Sequence, residues 1–329
     1  MNRLTKALLN LRHLVCASVA GVVLASCSST SMTDSAASSV ASGRADPSVQ
    51  QLDPNDPEDA IRISIKQNCS LKEGQDTVYW WHGKMYSRRP GEKDRHLFNM
   101  QGMNVRACDI LQDPTRGLGY RSVSREVMFY LDPETDQVVD TWVNPWTDEE
   151  VRVIQVANDP VSMNINRPSY AYDEDGKPSA KFRSFEHNGY YLNGGGAARL
   201  FYENPLAGDY QEYVGGTYHA MEFGTGASPV ADVLDADADY IKDRVISWAR
   251  VSKWLPWMKM GDRDGVAVFH TAGMRLGSWD ELPDVVKNEI LENYPEYVTA
   301  PPLDDDRPNE TSWTVTQKAI DTWREEDAD

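Results

Sequence analysis

Histidine and arginine side chains inside strand-like runs are the residues best placed to do chemistry. Beyond residue 80 the histidines are His82, His96, His187, His219 and His270, and no two stand at the spacing that brings both to one metal ion. Glu186-His187 and His219-Ala220-Met221-Glu222 each set a carboxylate close by in sequence, but positions 219 and 222 fall on opposite faces of a strand. His270 is the candidate general base or hydrogen-bond donor. Period two puts it on one face with Val266 and Val268, and an apolar face turned inward would aim its ring into whatever the sheet encloses. Arg125, in Ser124-Arg125-Glu126, is the candidate partner: pointing inward, its guanidinium would clamp a carboxylate through its bidentate fork. The alternative for Arg125 is an ion pair with Glu126 or with another acid across strands. Together the two would suit acid–base chemistry without a redox cofactor, in an isomerase, a dehydratase or a hydrolase.

Aromatic content is the stronger hint of a ligand. The chain holds 10 Trp and 15 Tyr, clustered at Tyr79-Trp80-Trp81, at Trp142 and Trp146, and at Trp248, Trp254 and Trp257. Trp80, Trp81, Trp142, Trp254 and Trp257 are the candidate ligand-binding residues, because an indole offers a flat apolar face with a polar handle, suited to an aromatic, polycyclic or sugar ligand. The competing reading is a Trp-rich core, with Met258 and Met260 as adaptable filling beside Trp257. No nucleophile elbow, Walker loop, dinucleotide fingerprint or His-Glu-x-x-His is present. Gly194-Gly195-Gly196 lacks the Lys-Ser/Thr of a phosphate cradle and reads as a turn between strands. Neither a metal nor a cofactor is expected.

The first residues carry an address. Arg3, Lys6 and Arg12 precede an apolar stretch over residues 14–25, and Leu24-Ala25-Ser26-Cys27 resembles the lipobox of bacterial lipoproteins. A dozen apolar residues is too short to span a bilayer, which takes roughly 20. Residues 1–26 are therefore expected to be removed and Cys27 to carry acyl chains such as palmitate, holding the protein on a membrane that it does not cross. An ordinary secretory signal is the alternative. Ser28 stands where inner-membrane retention would usually show Asp, which favours the outer membrane, facing the periplasm or the surface. Residues 27–52 are Ser/Ala-rich and read as a flexible tether. Residues 1–26 hold three of the 33 Lys and Arg and none of the 51 Asp and Glu, so the net charge of −18 falls to about −21 without them. Such a surface repels phosphate backbones and excludes nucleic-acid partners.

The elements that must position these side chains are mostly strands. Asp56-Pro57 carries the signature of a helix start. Val78-Tyr79-Trp80-Trp81 and Lys84-Met85-Tyr86 flank His82-Gly83, which reads as a tight hairpin, and Asp132-Pro133-Glu134-Thr135-Asp136 joins two further β-rich runs. Residues 227–243 fit either a helix or a loop. Two helices close the chain, one with Leu282, Val285, Val286, Ile290 and Leu291 on a stripe and stopped by Pro295, the other built on Trp313, Ile320 and Trp323. Cys69 and Cys108 could close a loop of about 40 residues as a disulfide, or remain separate buried thiols. The expected fold is mainly β, an antiparallel curved sheet, barrel-like or a sandwich, with short helices near the C-terminus, forming a single domain over residues 53–329.

Several segments, read together, resemble the bacterial and fungal family known as domain of unknown function 1838. They are Val78-Tyr79-Trp80-Trp81 with Arg89-Pro90-Gly91-Glu92, Phe98-Asn99-Met100-Gln101-Gly102-Met103-Asn104-Val105, Ser124-Arg125-Glu126-Val127, Asp140-Thr141-Trp142-Val143-Asn144-Pro145, Asn158-Asp159-Pro160-Val161 and Trp254-Leu255-Pro256-Trp257-Met258-Lys259-Met260-Gly261. The last run is the most specific, and the resemblance extends over roughly residues 53–302. It implies one exported domain and supplies no catalytic residue. Three functions fit the sequence: a lipoprotein that binds or carries a small hydrophobic molecule in an aromatic-lined pocket, the acid–base enzyme, and a structural envelope protein.

Overall fold

A computed structural model describes residues 50–203, 206 and 216–326. The signal segment, Cys27 and nearly all of the tether lie outside the described residues. Asp56 opens the first helix: its carboxylate accepts from the backbone N–H groups of Glu58 and Asp59, and Pro57 sits in the first turn of α1 (Pro57–Asn68). The helix buries Ile61, Ile63 and Ile65. At its end Cys69 is joined to Cys108 in a disulfide spanning 39 positions, and both residues are fully buried.

Three long strands follow, β1 (Thr77–Arg88), β2 (Arg95–Asp113) and β3 (Gly117–Leu131). Then come a small hairpin of β4 (Thr141–Val143) and β5 (Glu150–Arg152), and the short strands β6 (Val156–Asn158), β7 (Ser169–Tyr170) and β8 (Phe185–His187). The second half holds β9 (Tyr190–Glu203), β10 (Thr217–Pro229), α2 (Val230–Leu234), β11 (Val245–Ser252), β12 (Val266–Leu276), α3 (Asp284–Asn293) and α4 (Ser312–Glu326). The hairpin expected at His82-Gly83 is not formed, because β1 runs unbroken through it. Gly83 answers a different need: the backbone of β12 passes so close that a Cβ here would collide with the carbonyl oxygen of His270.

All pairings are antiparallel, in the order β6-β3-β2-β1-β12-β11-β10-β9-β8, with β7 alongside β3. Two meanders, β1 to β3 and β8 to β12, are thus fused by the pairing of β1 with β12. The result is mainly β, with short helices that include one near the C-terminus. It is not a barrel, since β6 and β8 leave the sheet open at both ends. Both end strands are three residues long, too short to offer a ladder for closure.

Alternation along the strands sorts side chains onto two covered faces. On the outer face Val78, Met103, Val105, Val127 and Phe129 pack with Val286 and Ile290 of α3. On the inner face Phe98, Met100, Tyr130 and Phe269 pack with Trp254, Trp257 and Met258 from the segment between β11 and β12. Among the described residues no helix is long and apolar enough to cross a membrane.

Candidate functional site

The inner face that builds this core continues into a cavity of about 860 Å³, within the range of small-molecule sites. Its wall takes Asn158 from β6 and Tyr202 from β9, which are seven strand positions apart in the sheet. In a flat sheet they would be separated by more than 30 Å, at roughly 4.8 Å per strand. The sheet therefore curls around the cavity.

The gap between its ends is bridged by residues 309–313. Toward the β6 side, Glu310 donates its N–H to the Pro160 carbonyl at 2.8 Å and its carboxylate accepts from the N–H of Asp159 at 3.1 Å. Asn309 exchanges two hydrogen bonds with Ser162, at 2.8 and 2.7 Å. Toward the other side, Trp313 donates its indole N–H to the Tyr202 hydroxyl and meets Tyr218 edge-on, with ring centres 4.5 Å apart.

Trp81, Trp248, Trp313, Met128 and Ile246 give the cavity an apolar wall. The position of Trp81 is built into the register. It lies between Gly102 on β2 and Gly273 on β12. A Cβ at either glycine would come within 2.7 Å of the Trp81 side chain. Gly102 leaves the room the indole needs, and Gly273 lets the backbone of β1 pass close by.

Set into this wall are five charged residues, Arg106, Glu126, Glu222, Arg244 and Arg250. Arg250 pairs with Glu222 at 3.3 Å and donates to the hydroxyl of the buried Tyr218, while its Nε has no hydrogen-bond partner among the described residues. Glu126 is pushed up to about 6 by burial, with Glu222 adding to the shift and Arg106 and Asn104 opposing it. Arg106 donates to Asn104 Oδ1 at 2.6 Å and stacks 5.0 Å from the ring centre of Tyr79. Burial pulls its proton affinity down; Tyr79 and Glu126 counter this and Arg244 adds to it. Arg244 itself donates to Ser228 Oγ at 3.0 Å. The wall thus combines aromatic surface with charged groups of both signs.

A second cleft, of about 510 Å³, lies between α1 and β7. Of its cations, Arg116 is paired with Asp113 at 2.9 Å and stacked 3.9 Å from the centre of the Tyr170 ring, and Lys181 and Arg183 line it as well.

The residues singled out from the sequence are dispersed. His270 does share a face with Val266 and Val268, but that face is the outer one, and His270 is exposed; the inward positions of β12 are Ala267, Phe269 and Thr271, all buried. Arg125 also points outward. Its Nη1 donates to the carbonyls of Glu296 at 2.6 Å and Thr299 at 3.0 Å, and its Nε pairs with Asp159 at 2.9 Å, so it pins the turn after α3 to the sheet. The expected clamp reaches backbone and Asp159, not a ligand. Trp80 lies outside as well, stacked on His82 with ring centres 5.2 Å apart. Trp81 alone of the five tryptophans lines the cavity. Trp142, Trp254 and Trp257 are in the aromatic core beside it, where Trp257 packs 5.4 Å from Tyr130 and 6.1 Å from Trp142.

Of the cavity residues that sequence reasoning passed over, Arg106 and Arg250 are single charges inside otherwise strand-like runs, while Glu126 entered it only as an ion-pair alternative for Arg125. Glu126 is the immediate neighbour of Arg125, one step away and hence on the other face. Among the described residues no group of three or more His, Cys, Asp or Glu side chains could hold a metal ion.

Comparisons add a family and little more. The model of a family described as "Protein of unknown function (DUF1838)" matches residues 74–320. No curated protein matches the chain. Among solved structures, the LolA superfamily protein NE2245 from Nitrosomonas europaea aligns at 10% identity over 69% of this chain and 94% of that one, with a TM-score of 0.16, too low to bear on fold or function.

Proposed function

The chain belongs to the DUF1838 family, whose description names no activity, and from the cavity we propose that it is a membrane-tethered binding protein for a small, largely apolar ligand. The observation that carries this reading is the 860 Å³ cavity with Trp81, Trp248 and Trp313 in its wall. Aromatic faces on several sides suit a ligand with an extended apolar body, and the charged groups among them give it orientation. The tether and Cys27 would hold the domain on the outer membrane, facing the periplasm or the surface. Native mass spectrometry of the protein purified from its own host should show a co-purifying small molecule. Bare protein from several growth conditions would end the binding reading. For the anchor, the N-terminal peptide should begin at Cys27 and carry the mass of its acyl chains; an unmodified Cys27 would remove it.

One observation favours a second reading, the acid–base enzyme. Glu126, with its proton held to about pH 6, faces the same cavity as Glu222, which is paired with Arg250. A carboxyl that holds its proton toward neutral pH inside a ligand site is what general acid–base catalysis uses. In that case Glu126 takes the role that His270 and Arg125 cannot fill from the outer face.

A further inference from the structure

Two arginines flank Tyr79 and a third, Arg244, lies beside Arg106; the acid that faces Arg106, Glu126, does not close an ion pair with it. The guanidinium of Arg106 lies 5.0 Å and that of Arg275 5.9 Å from the centre of the Tyr79 ring. Arg244 is near enough to Arg106 to lower its proton affinity. Among the described residues none of the three has a carboxylate within the 4.0 Å of an ion pair. This is unusual company in a chain with 51 Asp and Glu against 33 Lys and Arg. Other arginines of the sheet have found acids, as Arg121 has Asp109 at 2.7 Å and Arg125 has Asp159 at 2.9 Å.

The three are not equivalent. Arg275 is buried and occupied, donating to the Lys66 carbonyl at 2.9 Å and to Thr77 Oγ1 at 2.8 Å, so it contributes charge without contact. Arg106 and Arg244 line the cavity, and each donates one side-chain hydrogen bond, to Asn104 and Ser228 respectively. A guanidinium has five N–H donors, so most of theirs are uncommitted. Cations drawn from water without a closed ion pair are costly, and an anion arriving between them recovers part of that cost even with Glu126 facing Arg106.

We infer that the ligand of the cavity carries an oxyanion, a carboxylate or a phosphate, seated between Arg106 and Arg244, with its apolar body lying along Trp81 and Trp248. The inference rests on the cavity being the ligand site. Guanidinium forks match the paired oxygens of either group, and a single charged head on an apolar body matches a wall where these arginines stand beside Trp81, Trp248, Met128 and Ile246. Carboxylate and phosphate share this chemistry, and a head-group series separates them.

The full chain is titrated with decanol, decylammonium, decanoate and decyl phosphate below their micellar concentrations, following tryptophan fluorescence. At least one of the two anions should bind tenfold or more tightly than decanol, and decylammonium more weakly than decanol. Whichever anion is preferred identifies the head group. Replacing both arginines (Arg106→Gln with Arg244→Gln) should bring the anions to the affinity of decanol and leave decanol unchanged, whereas Arg106→Lys with Arg244→Lys should keep a preference for anions. If the Gln variant fails to melt cooperatively, the Lys variant and the wild-type series decide. Equal affinity for all four probes would overturn the oxyanion while leaving the cavity as a binding site. Binding of none, decanol included, would overturn both.

Discussion

Trp81 lies directly opposite Gly102, and the space its indole occupies is the space a Cβ at 102 would take, 2.7 Å from the ring. The same Cβ would come within 2.6 Å of the Val127 carbonyl, so backbone as well as side chain must give way. Gly102→Ala is therefore expected to cost about 1 to 3 kcal/mol, as over-packing does, and to displace Trp81. Thermal melting and the quenching of Trp81 by a bound probe would check this; an unchanged melting temperature would count against the close packing.

Trp257 and Trp81 separate core from site. Trp257 is buried among Phe98, Tyr130 and Trp142, so Trp257→Ala should cost about 3 to 5 kcal/mol in denaturant unfolding. Trp81 is half-buried at the cavity wall. Trp81→Ala should cost less stability than Trp257→Ala but weaken an apolar probe by about tenfold, or ~1.4 kcal/mol. The reverse pattern would exchange their roles.

Glu126 makes stability depend on pH in a stated direction. Folding raises its carboxyl from the usual 4.5 to about 6, and the groups that face it are Arg106 and Asn104 from β2 and Glu222 from β10. Below the unfolded value the carboxyl is protonated in both states and costs nothing. Between the two values the unfolded chain gives up its proton first, so stability falls as pH rises, and above the folded value the whole penalty, at most about 2 kcal/mol, is present. Glu126→Gln should therefore gain on the wild type as pH rises from about 4.5 to 6, and hold that gain at higher pH. A difference in melting temperature that does not change with pH would contradict this.

His270 and Arg125 should part company on mutation. His270 is exposed on the outer face, so His270→Ala should leave stability within about 0.5 kcal/mol and probe binding unchanged. Arg125→Ala strips a donor from two carbonyls and a partner from Asp159, and should cost about 2 kcal/mol or more without altering the cavity. Urea titrations and the same fluorescence assay read both.

Much of the fold is legible in the chain because local chemistry decides it. Asp56-Pro57 starts a helix wherever it stands, period two marks β12, and the apolar stripe over Val286 and Ile290 is the one that α3 buries. What cannot be read is which face of a strand looks inward. In β3, Val127 and Phe129 are fully buried on the outer face beneath α3, while Met128 and Tyr130 are buried on the inner one. With both faces covered, apolar character no longer tells them apart. In β12 the small residues Ala267, Thr271 and Gly273 turn inward, and for Gly273 the cause lies in the backbone of β1, whose Trp80 carbonyl would sit 2.2 Å from a Cβ there. Nothing within β12 itself announces that neighbour, so the valines suggest the wrong face. The cavity is hidden for the same reason, since its charges come from strands that meet only when the sheet curls.

The bridge over residues 309–313 gives the open sheet a property that a closed barrel would lack. Parting two barrel strands breaks a ladder of backbone bonds together. Here the seam between the sheet's ends is held by Asn309, Glu310 and Trp313. Such bonds are worth roughly 0.5 to 1.5 kcal/mol apiece in net terms. A fluctuation that releases this segment leaves every strand pairing intact, so amide hydrogens near residue 310 should exchange with solvent far faster than those of β1, and the cavity can trade its contents with the surroundings without the protein unfolding.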